Sequence, residues 1–186
     1  MAYTKALRVA YPSLALQTAG IVGFALLTAL GAQVRLYVWE VPFTLQTVAV
    51  YGSGLYLGWR NGLLAQMLYL TLGLFAPVFA GDGYGPAYLF GAVSAGYLLA
   101  YPLAAAIIGF LSRRANSLTG NVAVLAAGSF VIFTCGVIWL HFAAGHATWM
   151  ESVDKGFLRF VPVDVAKMIL VSIVYTGTRR FLPGSH

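Results

Sequence analysis

From Val9 to Val34 the chain carries no charged side chain, and the same holds from Val41 to Trp59, Asn61 to Gly81, Gly83 to Ser112 and Ala115 to Met150. Runs of this length dictate the solvent. A helix crossing hydrocarbon needs about 20 mostly apolar residues, and a soluble domain needs roughly a quarter of its residues charged to build a surface. Here 9% of 186 residues are charged and 60% are hydrophobic. In lipid a helix satisfies its own backbone hydrogen bonds, and the alternating pattern of a lipid-facing barrel strand is absent. The expectation is an all-α polytopic membrane protein, one integral domain over residues 1–186. Its six transmembrane helices fall at about 10–34, 42–59, 61–77, 86–111, 121–143 and 158–178. The sixth is unlike the others in containing charges. Pro42 and Pro77 stand where chain breaks are expected, before one helix and after another. No cleavable signal peptide is expected, since the first apolar run is too long for one. Six spans leave no room for a separate ATPase or catalytic domain.

Charge then orients the chain. Lys5, Arg8, Arg60, Arg113, Arg114, Arg179 and Arg180 fall at the termini and in the 2–3 and 4–5 connections. Arg35, Lys155 and Arg159 lie on the other side, diluted by Glu40, Asp82, Glu151 and Asp154. Basic residues mark cytoplasmic connections, so both termini are expected in the cytoplasm and the Ala143–Leu158 loop outside. A net charge of +6 distributed beside apolar segments points to the lipid bilayer as partner, not nucleic acid. Cys135, the single cysteine, sits in VIFTCGVIWL and reads as a buried, inert thiol.

The residues that carry chemistry are few. Asp164 and Lys167, in FVPVDVAKMIL, lie three apart and so share a helix face. Pro162 suits the first turn of that helix, which puts Asp164 near its positive end. Ionisable groups inside a membrane are costly and generally face a cavity or a partner. The pair is therefore a candidate site for a polar ligand, with a structural ion pair or a snorkelling lysine as the alternative. Thr44, Gln46 and Thr47 in VPFTLQT offer hydrogen-bonding groups at the outer end of the second span, or simply cap and join helices. PVFAGDGYGP is a glycine-rich outer loop, either a surface turn or a wall over a pocket. Ala15, Ala19 and Gly23 form a row of small residues, and Ala25 and Ala29 another pair; such rows serve internal packing or docking of a second membrane protein. His141 and His146 are five apart and do not share a helix face, so neither a metal site nor a catalytic set is expected. Tyr97 and Trp139 fall inside apolar runs, where they belong to the packing or stack on a ligand ring.

In order along the chain stand VPFTLQT, LGWRNGLLAQMLYLTLG, PVFAG, AGYL (Ala95–Leu98) and VPVDVAK (Val161–Lys167). Together they resemble the BioY family, the biotin-specific substrate-capture (S) subunits of energy-coupling factor (ECF) transporters. The resemblance covers most of the chain. It implies a six-helix S-component fold with biotin as transported ligand and no bound cofactor. It further implies an ECF transmembrane coupling subunit and two ATPase subunits as partners, docking on helix 1, and a bacterial cytoplasmic membrane as location. It assigns the family's Asp and Lys to Asp164 and Lys167, its Gln to Gln46, and its Phe-Ala-Gly loop to Phe79, Ala80 and Gly81. Two departures stand out. Asp82 interrupts the glycines of that loop, and AVSAGYL replaces a Gly-Pro-Thr-Gly-Gly-Tyr-Leu pattern, putting Ser94 where threonine is usual. Arg35 is an outer-loop candidate for the ligand's carboxylate. The chain has no P-loop, so any ATP-driven step belongs to another subunit. The alternatives are an S component for another vitamin, an intramembrane enzyme using Asp164 or His141 as base, or a purely structural subunit.

Overall fold

The computed structural model describes residues 13–37, 40–115 and 117–178. The chain enters through α1 (Leu14–Gln33), capped by the Ser13 hydroxyl, which accepts from the Leu16 amide. A short loop follows, closed by an antiparallel ladder of β1 (Arg35–Leu36) and β2 (Phe43–Thr44) that pairs Arg35 with Thr44 and Leu36 with Phe43. Next comes α2 (Gln46–Gly73), interrupted at Gly58, then a single 3₁₀ turn (Ala80–Asp82), α3 (Gly85–Gly91) and α4 (Ala95–Leu111). After these come α5 (Leu118–Ala143), the short α6 (Trp149–Val153) running into a π-helical stretch at Asp154–Leu158, and α7 (Val161–Thr178).

Gly58 is the point where the second and third expected spans separate. Its φ of 73° and ψ of 179° lie in a region open essentially to glycine alone. The two arms of α2 fold back on each other there: Gln66 Nε2 donates to Ser53 Oγ at 3.1 Å, and Gln46 Nε2 donates to the Tyr69 hydroxyl at 2.5 Å. The turn is pressed against α4. A Cβ on Gly109 would lie 2.3 Å from the backbone nitrogen of Trp59.

α2 is the centre of the bundle, packed on α1 and α4; α5 packs on α4, and α7 closes the seam between α2 and α5. Thr28 of α1 and Gln66 of α2 are buried and hydrogen-bonded to each other, a polar tie between helices of the kind that stands in for the missing hydrophobic effect in lipid. The outer faces are the reverse of a soluble surface. Leu26, Leu27, Leu30, Leu103, Phe110, Phe130, Phe142, Ile169, Leu170 and Ile173 are all exposed, an apolar belt whose natural covering is a bilayer. By length and composition α1, Ala95–Arg114 and α5 are each apolar enough to cross a membrane.

Three sequence expectations need revision. The run expected at 86–111 is two helices, because Ala92 takes an extended ψ of 149° and the chain re-enters a helix only at Ala95. Cys135 is exposed, not buried. The two small-residue rows part company: Ala25 and Ala29 are buried against neighbours, whereas Ala15 and Ala19 face outward and Gly23 has nothing within 4 Å of where a Cβ would stand.

Because nothing at the 2–3 turn can move away from Gly109 without shifting backbone, Gly109→Ala is expected to destabilise the protein by about 1–3 kcal/mol. The check is a lowered melting temperature in detergent, alongside an exposed Gly177→Ala control that leaves it unchanged.

Candidate functional site

The chemistry gathers where α7 begins. Pro162 occupies its first turn, and the Asp164 amide donates to the Phe160 carbonyl at 2.9 Å. Asp164 is buried and faces the bundle. Its Oδ1 accepts from the Tyr51 hydroxyl at 2.7 Å and its Oδ2 from the Ser129 hydroxyl at 2.5 Å. One carboxylate thus joins α2, α5 and α7. Lys167, one turn on, points to the same side yet makes different partners: its ammonium donates to the Thr44 carbonyl at 2.7 Å and to Thr47 Oγ1 at 3.1 Å. Among the described residues no ion pair links Asp164 to Lys167, so the structural-ion-pair alternative does not describe them.

Both face a cavity of about 50 Å³, room for a few waters. Its polar lining is Thr44, Gln46, Thr47, Ser94, Asp164 and Lys167; its walls are Val41, Pro42, Leu98, Ile132 and Val163, with the rings of Tyr88, Tyr97, Tyr101, Phe133 and Phe160. Thr44 Oγ1 donates to Gln46 Oε1 at 2.8 Å, which sends the Gln46 amide nitrogen on to Tyr69. Phe43 stacks on Phe160 with centroids 4.3 Å apart, joining the β-ladder to one wall of the cavity. The carboxylate has lone pairs left beyond its two hydroxyl donors, and the ammonium has one N–H left beyond its two acceptors. The arrangement can therefore take hydrogen bonds from a ligand's N–H groups and give one to a ligand's oxygen, between aromatic and aliphatic walls.

Of the residues singled out from sequence, Asp164, Lys167, Thr44, Gln46, Ser94 and Tyr97 meet at this cavity. Tyr97 presents its ring, its hydroxyl donating to the Gly156 carbonyl at 2.8 Å. Three others stand aside. Phe79 is fully buried behind the site, stacked on Tyr88 and edge-on to Tyr69. Gly81, at φ 74°, lies in the turn beside it, and Ala80 is the loop residue that reaches the cavity. Arg35 donates to Gln33 Oε1 at 2.7 Å and pairs with Asp82 at 3.4 Å, outside the lining. Asp82 itself holds a φ of 58°, a left-handed conformation that aspartate tolerates better than most residues, which explains how it can interrupt a glycine run. Trp139 is also elsewhere: its indole donates to the Ala92 carbonyl at 2.9 Å. Tyr51, Ser129, Tyr101 and Phe160 were not picked out from sequence. The first two are single polar groups in apolar runs, and the nearest signal to them is the unexplained acid they solvate.

Outside the cavity a charged clasp ties its covering loop to the segment before α7. Lys155 Nζ donates to Glu40 Oε1 and to Glu151 Oε1, each at 2.8 Å, and His146 Nε2 lies 3.0 Å from Glu40 Oε2. His141 and His146 both bond the Ser152 hydroxyl, at 2.9 and 3.0 Å. The Lys155 hydrogen bond holds the Glu40 carboxyl below its ordinary value of 4.5, against the opposing effect of burial and with help from His146. Glu151 is lowered for the same first reason, and Lys155 is raised above 10.5 by its bonds to Glu151 and Glu40. A carboxyl whose folded-state pKa is depressed stabilises the fold above its ordinary pKa and loses that contribution as pH falls through the depressed value. A raised lysine contributes fully below 10.5 and loses that contribution only at higher pH. The clasp is thus whole through the neutral range. Glu40→Gln is expected to lower the melting temperature by about 1–3 °C at neutral pH, and the two proteins are expected to converge as pH falls below 4.5, which a pH series of melting curves reads directly.

Comparison with known proteins agrees with this architecture. The BioY family model matches residues 5–184. A probable biotin transporter BioY of Lysinibacillus sphaericus is 34% identical over 164 residues, covering 82% of this chain and 83% of the relative. The biotin transporter BioY of Thermotoga maritima is 34% identical over 152 residues, covering 81% and 88%. A probable biotin transporter BioY of Pyrococcus horikoshii is equally similar, 34% over 152 residues. A solved S-component for biotin from an ECF-type ABC transporter superposes with a TM-score of 0.81 at 23% identity, covering 89% of this chain and 92% of that one, a likeness of fold.

Proposed function

The chain belongs to the BioY family, and from that premise we propose that it is a substrate-capture subunit that binds biotin at the outer end of its bundle and mediates its uptake. The observation that carries this reading is the convergence of Asp164 and Lys167, each held by different partners, on one cavity walled by aromatic and aliphatic side chains. Biotin's ureido group offers two N–H donors and a carbonyl. Asp164 takes an N–H in a bond that involves a charged group and is correspondingly strong; Lys167 gives to the carbonyl or to the carboxylate. The fused rings lie among Tyr97, Tyr101, Phe133 and Phe160, as small ligands generally lie on apolar walls. The carboxylate, at the mouth, would have to draw Arg35 from Asp82.

A cavity of about 50 Å³ is too small for a bicyclic ligand, so its walls part on binding. The movable side is the loop bearing Val41, Pro42 and Thr44: Lys167 is bonded to the Thr44 carbonyl, and a ligand that takes the ammonium frees that loop.

The wider reading follows the same line. On this reading six helices span the cytoplasmic membrane, the two arms of α2 counting as two, and the basic ends support a cytoplasmic position for both termini. Ala15, Ala19 and Gly23, outward-facing on α1, suit close approach by a transmembrane coupling subunit, which with two ATPases would supply the energy. The protein itself acts as a carrier, with no catalytic role.

Isothermal titration of the detergent-purified protein with biotin is expected to give near-stoichiometric heat that is lost in Asp164→Asn, Lys167→Ala. Tyr51→Phe, which leaves Asp164 in place with one hydroxyl fewer, is expected to weaken binding by about 10-fold. No heat from a folded, monodisperse sample would remove biotin and turn the search to other vitamins. Binding retained by the double variant would keep the function and move the site.

A further inference from the structure

At the opposite end of the bundle from the ligand cavity, a crevice of about 1070 Å³ opens between α1 and α4 beneath the turn of α2. Its rim is polar and basic: Arg60 and Asn61 on the turn, Arg113 after α4, and Gln17 on α1. Asn61 Nδ2 donates to Gln17 Oε1 at 3.2 Å, bridging the turn to α1. Arg60 lies over the ring of Trp59, 4.9 Å from its centroid. The rest of its lining is apolar, Leu57 and Ile107 half-buried and Phe110 and Leu111 exposed on the outer face.

No side-chain carboxylate is available to these arginines. The sequence holds five acids, Glu40, Asp82, Glu151, Asp154 and Asp164. The first four are paired with Lys155, Arg35, Lys155 and Arg159 on the cavity side, and Asp164 is buried among hydroxyls. Arg60 and Arg113 therefore face one crevice with their charge unanswered by any acidic side chain. Two guanidinium groups over an apolar slot, with a tryptophan at the level where the two meet, form an amphiphilic lining. A soluble anion would use only its rim, and an apolar helix only the apolar part.

We propose that this crevice binds an anionic phospholipid, Arg60 and Arg113 holding the phosphate and Leu57, Ile107 and Phe110 taking the proximal acyl chain. Arginine's planar fork suits phosphate oxygens, and a basic residue at an anionic membrane surface contributes roughly a fivefold factor in affinity. The site stands apart from the biotin reading and does not depend on it.

Native mass spectrometry of the detergent-purified protein with phosphatidylglycerol, phosphatidylcholine or inorganic phosphate tests it. Phosphatidylglycerol is expected to remain bound in preference to phosphatidylcholine. Its retention should fall by roughly 30-fold in Arg60→Gln, Arg113→Gln, and hold within about twofold in Arg114→Gln, which removes the same charge outside the crevice. Equal retention of the two lipids, or an equal loss in Arg114→Gln, overturns the proposal. So does inorganic phosphate binding as well as phosphatidylglycerol, which would make the site one for a soluble anion. A double variant that holds the lipid like the native protein but loses a co-purifying protein also overturns it, in favour of a protein interface. An unchanged melting temperature certifies the double variant's fold. Should it fail to fold, Arg113→Gln alone must lower phosphatidylglycerol retention by roughly fivefold, and the proposal falls if it does not.

Discussion

Asp164 is an acid on a membrane helix, and two hydroxyls from two other helices, Tyr51 and Ser129, meet its two oxygens at 2.7 and 2.5 Å. Burying a carboxylate away from water is tolerable only when its lone pairs are met. The donors must be held in place before the charge can be, so the bundle's geometry at this point is over-determined: α2, α5 and α7 cannot slide past one another without stranding an ion. Replacing the carboxylate by an apolar group would relieve that constraint, which suggests that the acid is kept for what its remaining lone pairs do. Those open onto the cavity, and the packed helices hold them ready.

The same scarcity of charge divides the molecule lengthwise. Four acids stand at the cavity end, each across from a lysine or arginine. Around the 2–3 and 4–5 connections there are only cations, Arg60, Arg113 and Arg114. Ion pairs in solvent contribute little to stability one at a time. Here their role is positional, since Glu40 with Lys155 joins the loop over the cavity to the segment leading into α7. At the other end no acidic side chain of the protein answers the cations, and on that imbalance the proposed phospholipid site rests.

How much of this was legible in the sequence follows from what hydrophobicity encodes. It encodes lipid well, and the apolar runs were visible because nothing else in the chain competes with them. It does not separate the side of a helix that faces lipid from the side that faces protein, since both are apolar; hence Cys135 reads as buried and is exposed. The turn at Gly58 was legible as a boundary because Arg60 marks it. The break at Ala92 carries no charge or proline and was invisible. Asp164 and Lys167 announced themselves by the penalty a membrane sets on charge. Tyr51 and Ser129 did not, because a hydroxyl in a membrane helix carries little penalty, and their contacts span 113 and 35 positions. Arg35 was drawn toward the ligand by its chemistry alone; its pairing with Asp82 lies 47 positions away and is set by a loop conformation that only the fold supplies.

On the proposed reading, the two charged groups of the site are not equivalent. Among the described residues the Asp164 carboxylate is bonded to helices alone, through Tyr51 on α2 and Ser129 on α5, and its position is fixed by the packed bundle. Lys167 is bonded to the Thr44 carbonyl on β2 and to Thr47 at the first turn of α2, that is, to the segment proposed to move and to the helix it leads into. A ligand arriving at Asp164 meets a rigid acceptor and gains orientation. A ligand reaching Lys167 must replace a bond to that segment, so part of its binding energy goes into releasing the loop. A population shift requires that the ligand interact differently with the two states, and Lys167 supplies such a difference: its partner is the loop when the cavity is small, and the ligand when the cavity has opened to admit it.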